Sequence, residues 1–162
     1  MQADSEIPVS LAGIALDPKS RSPVIILRDE EQQRILPIWV GHFEANAIIA
    51  ERENIKRPRP MTHDLFKRVV LSLGGAVERL VVTDIRENTF YAELHLMLGE
   101  EELAVDCRPS DGIALALRFQ APIFVTEKVL AHEETKQQAT MLEPEKLSDF
   151  IDKISPDDFE DA

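Results

Sequence analysis

Cysteine is nearly missing from this 162-residue chain: Cys107 stands alone, so neither a disulfide framework nor a cysteine-based zinc site can be built. Long apolar runs are missing too. None reaches the roughly 18 to 20 residues that cross a bilayer, so no membrane association is expected. The opening MQADSEIPVS has neither a basic stretch nor an apolar one, which excludes a secretory signal and makes the cytoplasm the expected compartment. Positive charge is scarce, with 18 Lys and Arg against 30 Asp and Glu, a net charge of −12. Such a chain repels polyphosphate at long range, which counts against a broad nucleic-acid surface but leaves room for a small local basic site. A glycine-rich phosphate loop, a GxSxG elbow and a CxxC pair are all lacking.

What is present suits one domain with a tail. Hydrophobic residues make up 44% of the chain, enough to bury a core at this length. Strands are expected over residues 9–17, 23–28 and 34–40, the last at an edge or bulge because Pro37 cannot donate a ladder bond. Gly41 opens a helix running to about Asn54, and IKRPRPM (55–61) is a stiff connector. Thr62 is the expected cap of the next helix, in which Phe66, Val69, Val70 and Leu73 recur at i, i+3, i+4 and i+7 and predict one buried face, ended by Gly74-Gly75. Strands follow over 77–86, 89–98 and 102–107. Pro109-Ser110 is expected to cap a helix over 111–120, and PIFVTEKVL gives a last strand from Pro122, expected to close a sheet edge. The predicted fold is α+β, a mixed or antiparallel sheet or open barrel with short helices. Its predicted division is a domain over 1–130, a polar linker over 131–142 and an acidic amphipathic helix and tail over 143–162, with Leu147, Phe150, Ile151 and Ile154 on one face. That short helix needs a surface to dock on.

An echo runs through the chain. PVIILRDEEQQRILPIWVGHFEANAIIAER can be laid on TFYAELHLMLGEEELAVDCRPSDGIALALR, which sets Glu44 on Asp111 and Leu36 on Leu103. A duplicated β-β-β-α unit would place those two carboxylates at equivalent positions; coincidence explains the pattern as well.

Three clusters could carry chemistry, and each has a structural reading beside the functional one. In LPIWVGHFEANAI, Glu44 shares a helix face with Ile48, as a ligand or as half of an ion pair with an arginine. Between Arg52 and Arg68 six bases face two acids, a local +4 that is the one phosphate-attracting patch. There His63 is either a proton relay or a satisfied core-edge histidine, and Asp64 either acts with it or pairs with Arg68 one turn on. In VDCRPSDGIALAL, Arg108 either binds phosphate or ties carboxylates together, and Ser110 and Asp111 suit ordinary capping. The functional reading gathers Glu44, His63, Asp106 and Asp111 around one hard cation that activates water, although the spacing matches no compact metal motif. Cys107 reads as a small buried hydrophobe.

At these residues the chain resembles the bifunctional nuclease domain family, through LPIWVGHFEANAI, RPRPMTHDLFKRVVLSLGG, TFYAELHL and DCRPSDGIALALRFQAPIFV, in consistent order over about residues 8–132. The resemblance implies a compact α+β domain that oligomerises and cleaves both RNA and DNA. Its polar blocks fall on Glu44, Arg59, Thr62, His63, Asp64, Asp106, Arg108, Ser110 and Asp111, with Gly112 where the family more often has alanine. Two functions are therefore weighed. In the first, a nuclease, His63, Asp64, Asp106, Asp111 and Glu44 carry the chemistry. Arg57, Arg59, Arg108, Thr62 and Ser110 hold substrate, and Glu44, Asp106 and Asp111 hold a divalent cation, magnesium or manganese. Nucleic acid would enter through the Arg52–Arg68 patch. In the second, a non-catalytic homo-oligomeric module binds a protein or a small anionic ligand, and Glu44–Arg108 and Asp64–Arg68 are structural pairs.

Overall fold

The structure, a computed structural model, describes residues 4–31 and 33–140. Its elements run β1 (Glu6–Leu16), β2 (Pro23–Asp29), β3 (Ile35–Trp39), α1 (His42–Arg52), α2 (Thr62–Ser72), β4 (Gly75–Arg86), β5 (Thr89–Leu98), β6 (Glu101–Cys107), α3 (Pro109–Phe119), β7 (Ile123–Thr126) and α4 (Glu127–Thr140). All seven strands join one sheet in the order β3-β2-β1-β7-β4-β5-β6. Every pairing is antiparallel except β4 with β7, where Leu80 faces Ile123 in a parallel register. A parallel pair needs a long crossover, here supplied by β5, β6 and α3. The fold is thus α+β with a mixed open sheet, and Pro37 sits on an edge strand as its missing N–H requires.

Burial explains the layout. β2 is buried on both faces: Ile25 and Leu27 enter the main core, while Val24 and Ile26 pack with Ile35 in a smaller cluster. The main core joins them to Leu36, Ile48, Leu80, Leu94 and Ile113. Each of these fully buried aliphatic side chains stabilises the fold by about 1.5–3 kcal/mol. α3 is the central helix, sunk from Pro109 to Ala116 and packed on α1, α2 and the sheet.

Several expectations need correction. β7 does not close an edge but lies between β1 and β4, because a strand buried at Ile123, Val125 and Thr126 needs neighbours on both sides. The extended reading from Pro122 stops at Thr126, and the expected polar linker is helical to Thr140. Of the described α4 side chains, Val129, Leu130 and Glu133 are the buried ones, set in a sequence polar enough to resemble a linker. The predicted buried face of α2 is not buried: no α2 residue is, since the helix sits at the periphery of the helical layer. The caps are Met61 and Arg108 rather than Thr62 and Ser110; Pro109 occupies the first turn of α3, where its fixed φ suits a helix start. The amphipathic stretch predicted over 143–162 lies outside the described residues.

Candidate active site

Three helix starts open onto one cleft. Glu44 belongs to the first turn of α1, Asp64 to that of α2 and Asp111 to that of α3, each favoured there by the positive end of the helix dipole. The cleft, of about 830 Å³, is walled by these carboxylates with Arg57, Thr62, His63, Asp106, Arg108 and Arg118, and by apolar Phe43, Phe66 and Val105 among others.

Asp111 is its hub. One carboxylate oxygen, Oδ1, lies 3.0 Å from His63 Nε2, and the other accepts Arg108 Nε at 2.9 Å. Arg108 Nη1 in turn donates to Glu44 Oε1 at 3.0 Å. The two carboxylates that the sequence echo superposes therefore meet on a single guanidinium, whose pKa is raised first by Asp111 and then by Glu44. Nothing pairs Asp64 with Arg68 as expected. Asp64 Oδ1 instead accepts Arg118 Nε at 2.8 Å, and Oδ2 accepts the Met61 N–H at 3.0 Å. Burial tends to raise the Asp64 pKa, but Arg118, the Met61 N–H and His63 together hold it below the ordinary carboxylate value. Arg118 also donates to the carbonyls of Ala114 and Ala47, which clamps α3 to α1. Burial, reinforced by Asp106 and Asp111, pushes the Cys107 thiol up to about 12, so it stays protonated and unreactive.

Most of the expected site residues are brought together, with two exceptions. Arg59 is exposed outside the cleft walls, and Ser110 is buried within α3. Among the described residues no three His, Cys, Asp or Glu side chains gather into a group able to hold a metal ion. As placed, Glu44, Asp106 and Asp111 do not form a metal set, because two of them converge on Arg108. Sequence reasoning missed Arg118. Its signal was a lone cation seven residues after Asp111, on the helix face shared with Leu115 in an otherwise apolar helix.

An α+β domain whose helix starts bring a histidine, carboxylates and arginines to one cleft defines a site suited to acid–base work on an anion. The bifunctional nuclease domain model matches residues 25–138, and the chain belongs to that family. It is 39% identical over 161 residues to an uncharacterized protein of Mycobacterium tuberculosis, covering 93% of this chain and 96% of that protein. It is 28% identical over 109 residues to bifunctional nuclease 1 of Oryza sativa subsp. indica, covering 65% of this chain and 33% of the rice protein. Against bifunctional nuclease 2 of Arabidopsis thaliana the figures are 29% over 116 residues, 70% and 35%. The chain thus matches only about a third of each plant protein's length. No helix among the described residues is long and apolar enough to cross a membrane.

Proposed function

We propose that this domain hydrolyses phosphodiester bonds of RNA and DNA in the cleft, with His63 moving the proton. Family membership supports the reading, and one observation carries it: Asp111 holds both His63 and a solvent-facing Arg108 on its two oxygens. DNA lacks the 2′-hydroxyl that RNA could use as an internal nucleophile, so a mechanism serving both must use water. With its Nε2–H donated to the Asp111 carboxylate, His63 keeps Nδ1 to take a proton from that water as the water oxygen bonds to phosphorus. The ester P–O bond breaks, and the leaving oxygen takes a proton back from the imidazolium or from solvent. Arg108 has five N–H donors. Its Nε, one Nη1 hydrogen and one Nη2 hydrogen are directed at Asp111 and Glu44, and the remaining two can reach phosphate oxygens. Arg57 lines the approach. The cleft walls hold more acids than arginines, so the exposed Arg52–Arg68 patch must deliver the polyanion. No step is routed through a divalent cation, because Arg108 already engages Glu44 and Asp111.

The test is cleavage of single-stranded RNA and DNA oligonucleotides, run with magnesium, with manganese and with a chelator. His63→Ala should lose about a hundredfold or more in rate on both substrates with unchanged circular dichroism. Arg108→Ala should weaken substrate binding while costing less than about 1 kcal/mol of stability, since its ion pairs face solvent. Wild-type rates from His63→Ala would overturn the assignment. The second reading, a non-catalytic module, draws on the fact that Glu44, Asp64 and Asp111 are each tied to an arginine. It requires instead that the unaltered protein cleave neither substrate.

A further inference from the structure

Helix α2 has an apolar stripe that is left exposed among the described residues. Phe66, Val69 and Leu73 are 40%, 49% and 70% exposed, and Met61 and Leu65 at the helix start are likewise exposed. Met61 and Phe66 reach the cleft, and the stripe runs outward from there along the helix. Across the cleft Val105 of edge strand β6 is exposed, as is Leu103 on the same strand face. An apolar surface this continuous marks a contact site rather than scattered exposure. Cations border it: Arg57 and Arg59 of the connector and Arg68 of α2 are exposed, within the segment of six bases and two acids. One of those acids, Asp64, is already bound to Arg118.

The chain carries a complement to this face. Residues 143–162 hold eight acids and two bases, and Leu147, Phe150, Ile151 and Ile154 recur at i, i+3, i+4 and i+7. Only residues 141 and 142 separate this segment from the end of α4 at Thr140. A second copy is the poorer occupant. Its own α2 face would set like cationic charge against like, and pairing through β6 would oppose Glu101, Glu102 and Asp106 to their own kind.

We propose that segment 143–162 of the same chain lies along the α2 stripe, with its apolar residues on Phe66, Val69 and Leu73 and its acids toward Arg57, Arg59 and Arg68. Docked there, its acids compete with an incoming polyanion for these cations. The regulatory consequence rests on the nuclease reading; the docking itself does not.

The test uses full-length protein and two variants altered only in the segment, Phe150→Ser with Ile154→Ser, and Asp149→Asn with Asp152→Asn. Because α2 is unaltered in both, amide hydrogen exchange over residues 65–73 reports its cover directly. Exchange there should be about fivefold faster or more in each variant, the lower bound of ordinary coupling between sites. A fluorescein-labelled single-stranded DNA oligonucleotide, titrated in chelator and followed by anisotropy, should bind both variants tighter by a similar factor. Unchanged exchange overturns the proposal. Protection of α2 that grows with protein concentration assigns the stripe to a second copy and overturns it as well. Faster exchange with no oligonucleotide bound by any of the three proteins upholds the docking and overturns the nuclease reading instead.

Discussion

Two arginines one helix apart show how position decides what a charge does. Arg108 is 64% exposed and keeps donors for a ligand, whereas Arg118 is 4% exposed and spends its donors on Asp64, Ala114 and Ala47. Removing Arg118 leaves the Asp64 carboxylate without its guanidinium and takes the side-chain clamp off the Ala114 and Ala47 carbonyls. Arg118→Ala should therefore cost about 3 kcal/mol, the low end for breaking a buried pair because Asp64 is partly in solvent, and should lower the melting temperature by roughly 10 °C. The Asp64 partner gives a pH signature. Its folded pKa lies below the ordinary value near 3.8, so the unfolded state takes up the proton first as pH falls. The stability from this pair is complete above that ordinary value and is lost as pH drops through the lowered folded pKa. Melting curves of Asp64→Asn between pH 5 and about pH 2 should lack that acid-side decline; an unaltered decline would mean that other carboxylates cause it.

At the scale of elements, the cleft is made by three helix starts, and Gly41 is the tightest point among them. Its backbone is ordinary, with φ −76° and ψ 162°, so alanine fits the local conformation. An added Cβ would nevertheless run into the Glu44 carboxylate, which folds back over this position. The flexible end of Glu44 can yield, so Gly41→Ala should leave the melting temperature nearly unchanged while pulling Glu44 off Arg108. The expected outcome is a severalfold rise in KM for an oligonucleotide with a smaller change in kcat. A fall in melting temperature without a kinetic effect would place the role of Gly41 in packing alone. The elements themselves were largely legible, because strand alternation, proline stops and glycine ends act within a few residues. α2 misled for an instructive reason: a periodic apolar stripe predicts that something covers a helix, not that the same domain's core does.

The whole molecule is closed by contacts that no local pattern announces. Arg34, nearly buried just before β3, forks onto Asp29 at 3.0 Å and reaches Glu127 at 2.6 Å, 93 residues away at the start of α4. That pair fastens the first hairpins to the last helix. Arg34→Ala should cost about 3–5 kcal/mol by leaving the buried Asp29 carboxylate without its guanidinium. Arg34→Lys should recover only part of it, because an ammonium cannot serve two carboxylates in a fork. Urea unfolding of the three proteins checks both expectations; full recovery by lysine would mean that charge alone, without geometry, does the fastening.

Local pattern in the chain was enough for the α+β class, the strand and helix segments, the edge position of Pro37 and the nature of the polar groups near each helix start. These depend on periodicity and on backbone chemistry within one or two turns. Folding alone decided that β7 lies in the middle of the sheet, that Asp64 takes Arg118 instead of Arg68, and that, of the two readings the sequence left open for Glu44, the pair with Arg108 is the one formed, with Asp111 on the same guanidinium. Those pairings join residues some 50 to 70 positions apart. Charge attraction is nearly indifferent to which arginine satisfies a given carboxylate, so the choice falls to the packing of α1, α2 and α3, which brings one candidate within reach and holds the other away.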